Sequence, residues 1–165
     1  MSEPSRRGAG ASYELPEGEV LKLAEPGVVY TKAWVVDLVL DVAGYSPDSN
    51  LVDAVAVEPS CGSGEFLAAM AGRLSASCQK QGRPLRDCQS SLLAFDLSSE
   101  AVEKSRERVA YVLTARGWSE EESRNMACRW VRRADFLLDP ELDMVSLGGG
   151  VDLVVGNPPL SHERK

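Results

Sequence analysis

Two turns, each placed directly after an apolar strand-like run, constrain the fold of this chain more than any other feature. Residues 54–58 lead into a turn that contains Gly62 and Gly64, and residues 151–155 lead into Gly156 and Asn157 followed by two prolines. Glycine lets a ligand approach the backbone closely, and proline fixes the backbone where a strand ends. The pair therefore predicts a site in which two bound molecules meet and exchange a group.

Strand-like and helical patterns alternate along the chain, which is typical of a parallel α/β sheet. The predicted strands are residues 54–58, 92–96, 128–132 and 151–155. The predicted helices are residues 32–43, capped by Thr31 and ended by Gly44, then 65–77 and 98–116. A capping box at residues 119–122 opens a short extra helix, and residues 79–91 are predicted to be a polar loop.

The chirality of parallel strand connections predicts how these strands are ordered. Right-handed crossovers constrain the topology, and if the first three strands wind one way and the fourth returns to the other side of the first, the order is 3-2-1-4. Ligands bind in such sheets where the winding direction changes, here between strands one and four. Both turns fall at that crevice, so the sequence predicts that they form one site.

Composition limits the class of protein. A chain of 165 residues that is 44% hydrophobic forms one core, so we predict a flexible arm over residues 1–18 and one domain over residues 19–165. The formal charge of -7 provides no global attraction to nucleic acid. No secretory signal and no apolar run of membrane-spanning length is present, which favours a cytoplasmic protein without a membrane partner. Four cysteines without a C-x-x-C pair and a single histidine argue against a metal site.

The first turn and two acids indicate the kind of cofactor. A dinucleotide fingerprint requires a third glycine where Leu67 stands, which weakens an NAD or FAD interpretation. Glu58 at the end of strand one suits a ligand ammonium group, and Asp96 at the end of strand two suits ribose hydroxyls. S-adenosylmethionine carries both groups. The alternative is that the two acids are solvated strand ends. Cys61 is interpreted as a packed turn residue rather than a nucleophile, because no histidine lies near it in sequence.

Motifs in a fixed order resemble those of the adenine-specific DNA methyltransferases of restriction–modification systems, particularly the Eco57I-like and TaqI-like group. The likeness covers residues 27–159, with Gly-Val-Val-Tyr-Thr at 27–31, Glu-Pro-Ser-Cys-Gly-Ser-Gly at 58–64, Phe-Asp-Leu-Ser at 95–98, Ala-Asp-Phe at 134–136 and Asn-Pro-Pro at 157–159. It implies a Rossmann-like, S-adenosylmethionine-dependent methyltransferase fold. It assigns cofactor binding to Tyr30, Thr31, Glu58, Pro59, Ser60, Cys61, Gly62, Gly64, Phe66, Asp96, Leu97, Asp135 and Phe136. It assigns catalysis to Asn157, Pro158, Pro159 and Leu160.

This resemblance also implies partners and two departures from the family pattern. The family's fourth catalytic residue is aromatic where this chain has Leu160, and the strands and recognition region that complete the family's enzymes are missing after residue 165. The expected partners are double-stranded DNA, bound through that missing region, and a restriction subunit or fused nuclease. We therefore expect a truncated catalytic domain that is inactive by itself.

Two other functions remain compatible with the sequence. Asn-Pro-Pro also occurs in methyltransferases that act on protein glutamine or RNA guanine, although Gly-Val-Val-Tyr-Thr favours DNA. By itself, Asn-Pro-Pro is also an ordinary strand-terminating turn, so the chain could be an inactive cofactor-binding fragment or subunit. The arginines around strand three and on helix three are expected to form solvated faces rather than DNA contacts, since Glu100, Glu103 and Glu107 are interleaved with those of helix three. They are Arg129, Arg132 and Arg133 at strand three and Arg106 and Arg108 on helix three.

Overall fold

A computed structural model describes residues 31–139 and 150–157. The helices are α1 (Ala33–Val42), α2 (Glu65–Lys80), α3 (Ser99–Ala115) and α4 (Glu120–Trp130), with a 3₁₀ turn at Leu85–Cys88 between α2 and the second strand. The strands are β1 (Ala56–Glu58), β2 (Leu92–Asp96), β3 (Val131–Arg133) and β4 (Leu153–Val154). The predicted arm at residues 1–18 lies outside the described residues, so the predicted domain boundary stays a prediction.

The described strands form one parallel sheet in the order β3-β2-β1-β4, which confirms the predicted order and the α/β class. Ala56 of β1 pairs with Leu92 of β2 on one side and with Leu153 of β4 on the other. This arrangement is consistent with a Rossmann-like methyltransferase fold. It brings the carboxyl ends of β1, β2 and β4 to the same edge of the sheet, where the two turns begin.

Alternating strand residues serve two apolar clusters, because successive side chains of a strand point to opposite faces. The larger cluster contains Ala56, Leu92 and Ala94 and receives buried residues from all four helices. The smaller cluster, on the other face, is built on Val57, Leu93 and Phe95. Both faces of the central strands are thus covered by apolar side chains.

Local signals account for the ends of the helices. Ser119 and Glu122 make the predicted capping box at the start of α4, and Ser98 Oγ accepts a hydrogen bond from Ala101 N at the start of α3. Gly44 and Gly117, with φ of 72° and 94°, follow α1 and α3 as predicted. These positions favour glycine because they are left-handed.

The position of strand three differs from the prediction. Residues 128–132 were expected to be a strand, but α4 continues to Trp130 and β3 begins at Val131. Met126, Ala127 and Trp130 share a buried helical face, and Trp130 Nε1 donates to the carbonyl of Cys88 at 2.9 Å. The alternation of apolar and polar residues resembles a strand, yet burial of a helical face determines the structure here.

The predicted polar loop at residues 79–91 is also partly ordered. Helix α2 extends to Lys80, three residues beyond the predicted end, and the 3₁₀ turn buries Leu85 and Cys88. These two residues belong to the larger cluster, so apolar burial gives this connection a defined structure.

Candidate functional site

The turn after β1 is tied to the end of β2 by backbone hydrogen bonds. Cys61 N donates to the carbonyl of Phe95 at 2.9 Å, and Gly62 N donates to Asp96 Oδ2 at 2.9 Å. Gly64 N closes the turn onto the Cys61 carbonyl at 2.8 Å. Gly62 and Gly64 have φ of 52° and 85°, a region that favours glycine. We call residues 61–64 the glycine loop; it is held by two hydrogen bonds to β2 and by one within the loop.

Glu58 is a buried carboxyl with an unsatisfied oxygen. The residue is only 2% exposed, and its Oε2 has no hydrogen-bond partner within the described part of the chain. Burial raises the pKa of Glu58 to about 8, and the negative charges of Glu65 and Asp96 add to this effect. At neutral pH the carboxyl is therefore mostly protonated. A bound cation would contact the unpartnered oxygen, and its positive charge would stabilise the ionised form of the carboxyl.

Asp96 lies at the end of β2 beside the glycine loop. Its two carboxylate oxygens each accept one backbone N–H, Oδ2 from Gly62 at 2.9 Å and Oδ1 from Ser98 at 2.8 Å. A carboxylate oxygen can accept more than one hydrogen bond, so both retain capacity for ligand hydroxyls. The following residue, Leu97, is 67% exposed and offers an apolar surface at the same edge.

The turn after β4 approaches the same edge from the other side. Val155 N donates to the carbonyl of Val57 at 2.9 Å, and a methyl group at Gly156 would contact Pro59 and Glu58 at 3.5 and 3.7 Å. The next side chain, Asn157, donates from Nδ2 to Thr31 Oγ1 at 3.2 Å. The carboxamide nitrogen is thus anchored, and its oxygen is left as the acceptor.

Thr31 has a different structural role from the one predicted as a helix cap. Lys32 occupies the N-cap position of α1 and makes no side-chain capping bond. The Thr31 hydroxyl instead accepts the hydrogen bond from Asn157, 126 residues away in sequence. The cap prediction is wrong because the N-cap position of α1 is Lys32, one residue after Thr31.

The environment of Cys61 agrees with its interpretation as a packed turn residue. It is 4% exposed, and burial raises the pKa of its thiol to about 12, so the nucleophilic thiolate is not populated at neutral pH.

The remaining predicted cofactor residues are spread around the site. Phe66 is buried in the larger cluster, and Pro59 and Ser60 are half-buried. Asp135 Oδ1 accepts from Leu137 N at 3.0 Å in a turn after β3, while Phe136 packs edge-on against Phe95 with 5.7 Å between ring centroids. Four predicted residues lie outside the described residues: Tyr30, Pro158, Pro159 and Leu160.

Two arginines predicted to be solvated make defined contacts. Arg106 donates to the carbonyl of Val131 at 2.9 Å and pairs with Glu103, while Arg108 pairs with Glu65 at 2.6 Å. Because Val131 begins β3 and Glu65 begins α2, these guanidinium groups join α3 to its neighbours.

No group of metal-ligating side chains is found within residues 31–139 and 150–157. Over the same residues, no helix is both long and apolar enough to cross a bilayer.

Ser105 on α3 also contacts the glycine loop and was not predicted. It is wholly buried, and its Oγ donates to the carbonyl of Gly62 at 2.9 Å. Its sequence signal is a serine on the apolar face that also carries Val102, Val109 and Leu113. This signal marks a polar contact in the core, but it does not identify the partner.

Comparison with known proteins identifies three similar methyltransferases. The chain is 39% identical over 140 residues to type II methyltransferase M.BstVI of Geobacillus stearothermophilus, which covers 81% of this chain and 24% of that protein. It is 34% identical over 136 residues to M.PaeR7I of Pseudomonas aeruginosa, covering 81% of this chain and 23% of the relative. It is 33% identical over 139 residues to M.XhoI of Xanthomonas vasicola, covering 82% and 24%.

No protein-family model matches the chain, and no solved structure matches it significantly. The chain spans about a quarter of the length of the curated relatives it matches. Its curated relatives are thus type II methyltransferases, matched over about four fifths of this chain.

Proposed function

We propose that this chain is the cofactor-binding and catalytic part of an S-adenosylmethionine-dependent DNA methyltransferase that modifies the exocyclic amine of adenine in a restriction–modification system. The observation that carries the proposal is the buried Glu58 carboxyl, with an unpartnered oxygen, between the glycine loop and the turn that bears Asn157. The names of the three relatives support the reaction class and its biological setting.

The residues present fit this cofactor. Glu58 would hold its ammonium group, because a cation satisfies the unpartnered oxygen. Asp96 would accept hydrogen bonds from its ribose hydroxyls. The space beside Gly62 is open, since a methyl group built there would meet no atom within 4 Å. When bound, S-adenosylmethionine supplies an electrophilic methyl group.

Asn157 would orient and activate the target amine. Because Thr31 anchors the carboxamide nitrogen, the carboxamide oxygen can accept a hydrogen bond from one N–H of the amine. The carbonyl of Pro158 would accept a hydrogen bond from the other N–H. These bonds favour a more tetrahedral nitrogen and hold it in line with the methyl group, which lowers the barrier through preorganisation.

DNA binding would depend mainly on a region beyond this chain. The charge of -7 opposes approach to phosphates, and the relatives are about four times as long as the matched segment. Flipping adenine from the duplex costs a few kcal/mol, and stacking on an aromatic side chain returns roughly 1–3 kcal/mol. Leu160 would provide apolar contact only. A restriction subunit or fused nuclease is the proposed functional partner.

Cofactor binding is tested by titrating S-adenosylhomocysteine into the 165-residue chain in a calorimeter. We expect saturable binding to one site, and we expect Glu58→Gln to weaken it because the ligand cation loses its anionic partner. Matched controls are Asp48→Asn and Asp53→Asn, which neutralise exposed acids away from the glycine loop. No binding by the folded wild-type chain would refute the cofactor assignment.

Methyl transfer is tested in a chimera in which residues 31–157 replace the matching segment of the Geobacillus stearothermophilus methyltransferase. With tritiated cofactor and unmethylated duplex DNA, we expect label in N6-methyladenine. Asn157→Ala should abolish the label while leaving cofactor affinity within about twofold of the parent, because the amide acts on the target rather than on the cofactor. Label in cytosine, RNA guanine or protein glutamine would refute adenine specificity. A chimera that binds cofactor without transfer would favour an inactive binding module.

A further inference from the structure

Ser105 is a polar residue on the apolar face of α3, directly behind the glycine loop. Its neighbours on that face are Val102, Val109 and Leu113, and Ser105 itself is 0% exposed. Buried hydroxyls are costly unless they are hydrogen-bonded, so its partner indicates why a serine is compatible with this position.

That partner is the glycine loop. Ser105 Oγ donates to the carbonyl of Gly62 at 2.9 Å and lies 3.6 Å from Cys61 Sγ. The approach is close at Gly64 as well, where a Cβ would be 2.8 Å from Ser105 Oγ and 3.1 Å from Ser105 Cα. The loop therefore rests directly on α3 at this residue, and a side chain at position 64 would separate them.

The orientation of one peptide group follows from this contact. In a trans peptide the carbonyl and the N–H point in opposite directions. Because the Gly62 carbonyl points at Ser105, the N–H of Ser63 points away from α3. The other ties of the loop run from Cys61 N to Phe95, from Gly62 N to Asp96 and from Gly64 N to the Cys61 carbonyl. None of these bonds uses the Gly62 carbonyl or the Ser63 N–H, so the contact with Ser105 is the one that engages this peptide group directly.

We propose that Ser105 is a positioning residue for the cofactor, whose hydroxyl holds the Gly62 carbonyl against α3 and so presents the Ser63 N–H to the ligand side of the loop. The inference rests on the proposed function for its ligand, but the orientation of the loop is a property of the unliganded protein. Ser105 acts through the loop and does not itself contact the cofactor.

The test compares Ser105→Ala with Ser123→Ala. Ser123 is an equally buried helical serine whose hydroxyl has no partner among the described residues, so its removal controls for the loss of a buried hydroxyl. S-adenosylhomocysteine affinity is measured well below the thermal transition, and amide hydrogen exchange of Gly62, Ser63 and Gly64 is measured in the free protein. For Ser105→Ala we expect about three- to tenfold weaker binding, from loss of one hydrogen bond that orders the loop. Amide exchange of the glycine loop should also be faster in Ser105→Ala. Ser123→Ala should leave both the affinity and the exchange rates unchanged.

A second pair of variants covers the case in which Ser105→Ala does not fold. Gly64→Ala would press a methyl group against Ser105, while Gly82→Ala has a similar positive φ of 64° and no atom within 4 Å of the added methyl. We expect Gly64→Ala to weaken binding at least about tenfold more than Gly82→Ala, because only the former displaces the loop.

The outcomes separate this inference from the proposed function. Wild-type affinity in Ser105→Ala or in Gly64→Ala would overturn the positioning role, even if either variant were less stable. If the wild-type chain binds no S-adenosylhomocysteine, the proposed function fails. Amide exchange of the glycine loop in the free protein still tests whether Ser105 orients the loop. Exchange that is unchanged in Ser105→Ala would overturn that role without any binding measurement.

Discussion

Cofactor binding should release a proton from Glu58. The carboxyl is buried with an unpartnered oxygen, and its pKa is raised to about 8, first by burial and then by the charges of Glu65 and Asp96. A ligand ammonium at this oxygen stabilises the carboxylate and lowers that pKa. The free protein therefore holds a proton at neutral pH that the complex does not hold, and affinity must rise with pH.

The size of the effect follows from the ionised fraction. With a pKa of about 8, about one Glu58 in a hundred is ionised at pH 6 and about one in ten at pH 7, so affinity should rise about tenfold between these pH values. Most of one proton should be released per ligand at pH 7. Below pH 7 the ligand's own ammonium group stays protonated, so the pH dependence of the affinity is assigned to Glu58.

Calorimetry with S-adenosylhomocysteine at pH 7 in phosphate and in Tris measures the released proton, since the two buffers differ in ionisation enthalpy. Affinities at pH 6.0, 6.5 and 7.0 give the slope. Glu58→Gln should remove both effects, and Glu65→Gln should keep them while moving the midpoint to lower pH. A wild-type affinity that is flat between pH 6 and pH 7, without proton release, would refute the role assigned to Glu58.

Unfolding provides a measurement without ligand. The folded pKa of Glu58 lies above its ordinary value of 4.5, so its contribution to stability is fully present below pH 4.5 and is lost as pH rises toward 8. Between pH 5 and pH 8 the free energy of unfolding of the wild type should fall by about 3–4 kcal/mol relative to Glu58→Gln. Urea denaturation of both proteins at the two pH values checks this, and equal slopes with pH would contradict it.

Three further outcomes are expected. Asp96→Ala should weaken S-adenosylhomocysteine binding about 10- to 100-fold in calorimetry, because the ribose hydroxyls and Gly62 N lose a charged acceptor. Unchanged affinity would contradict the assignment of Asp96 to the ribose. Thr31→Val in the chimera should slow methyl transfer about tenfold at saturating cofactor, whereas Thr31→Ser should not, since it keeps the hydroxyl that anchors Asn157. A loss confined to cofactor affinity would argue for the cofactor-binding role that the resemblance gives Thr31, and against the anchoring role. Arg73→Met should lower the free energy of unfolding in urea by about 1–2 kcal/mol, because the half-enclosed guanidinium joins α2 to Asp37 and Asp41 of α1. The control Lys80→Met, which breaks an exposed ion pair, should leave this free energy almost unchanged.

The sequence by itself determined the strand order and most helix ends. Helix ends follow from signals within a few residues, such as the Ser119 capping box and the left-handed glycines 44 and 117. The order 3-2-1-4 agrees with right-handed crossovers combined with a reversal of the winding direction after strand three. Both are local or topological constraints, so they need no knowledge of which side chains meet.

Only the tertiary structure decided which partners those side chains have. Helix α4 continues to Trp130, into the first three residues of the predicted strand, and there Trp130 has a buried acceptor on Cys88, 42 residues away. Thr31 engages Asn157 instead of capping a helix, and Ser105 supports a loop from another element. The state of Glu58 depends on being buried with no partner beside two other acids. The burial and the electrostatic environment of these positions depend on neighbours that are distant in sequence. Local sequence patterns do not identify those neighbours.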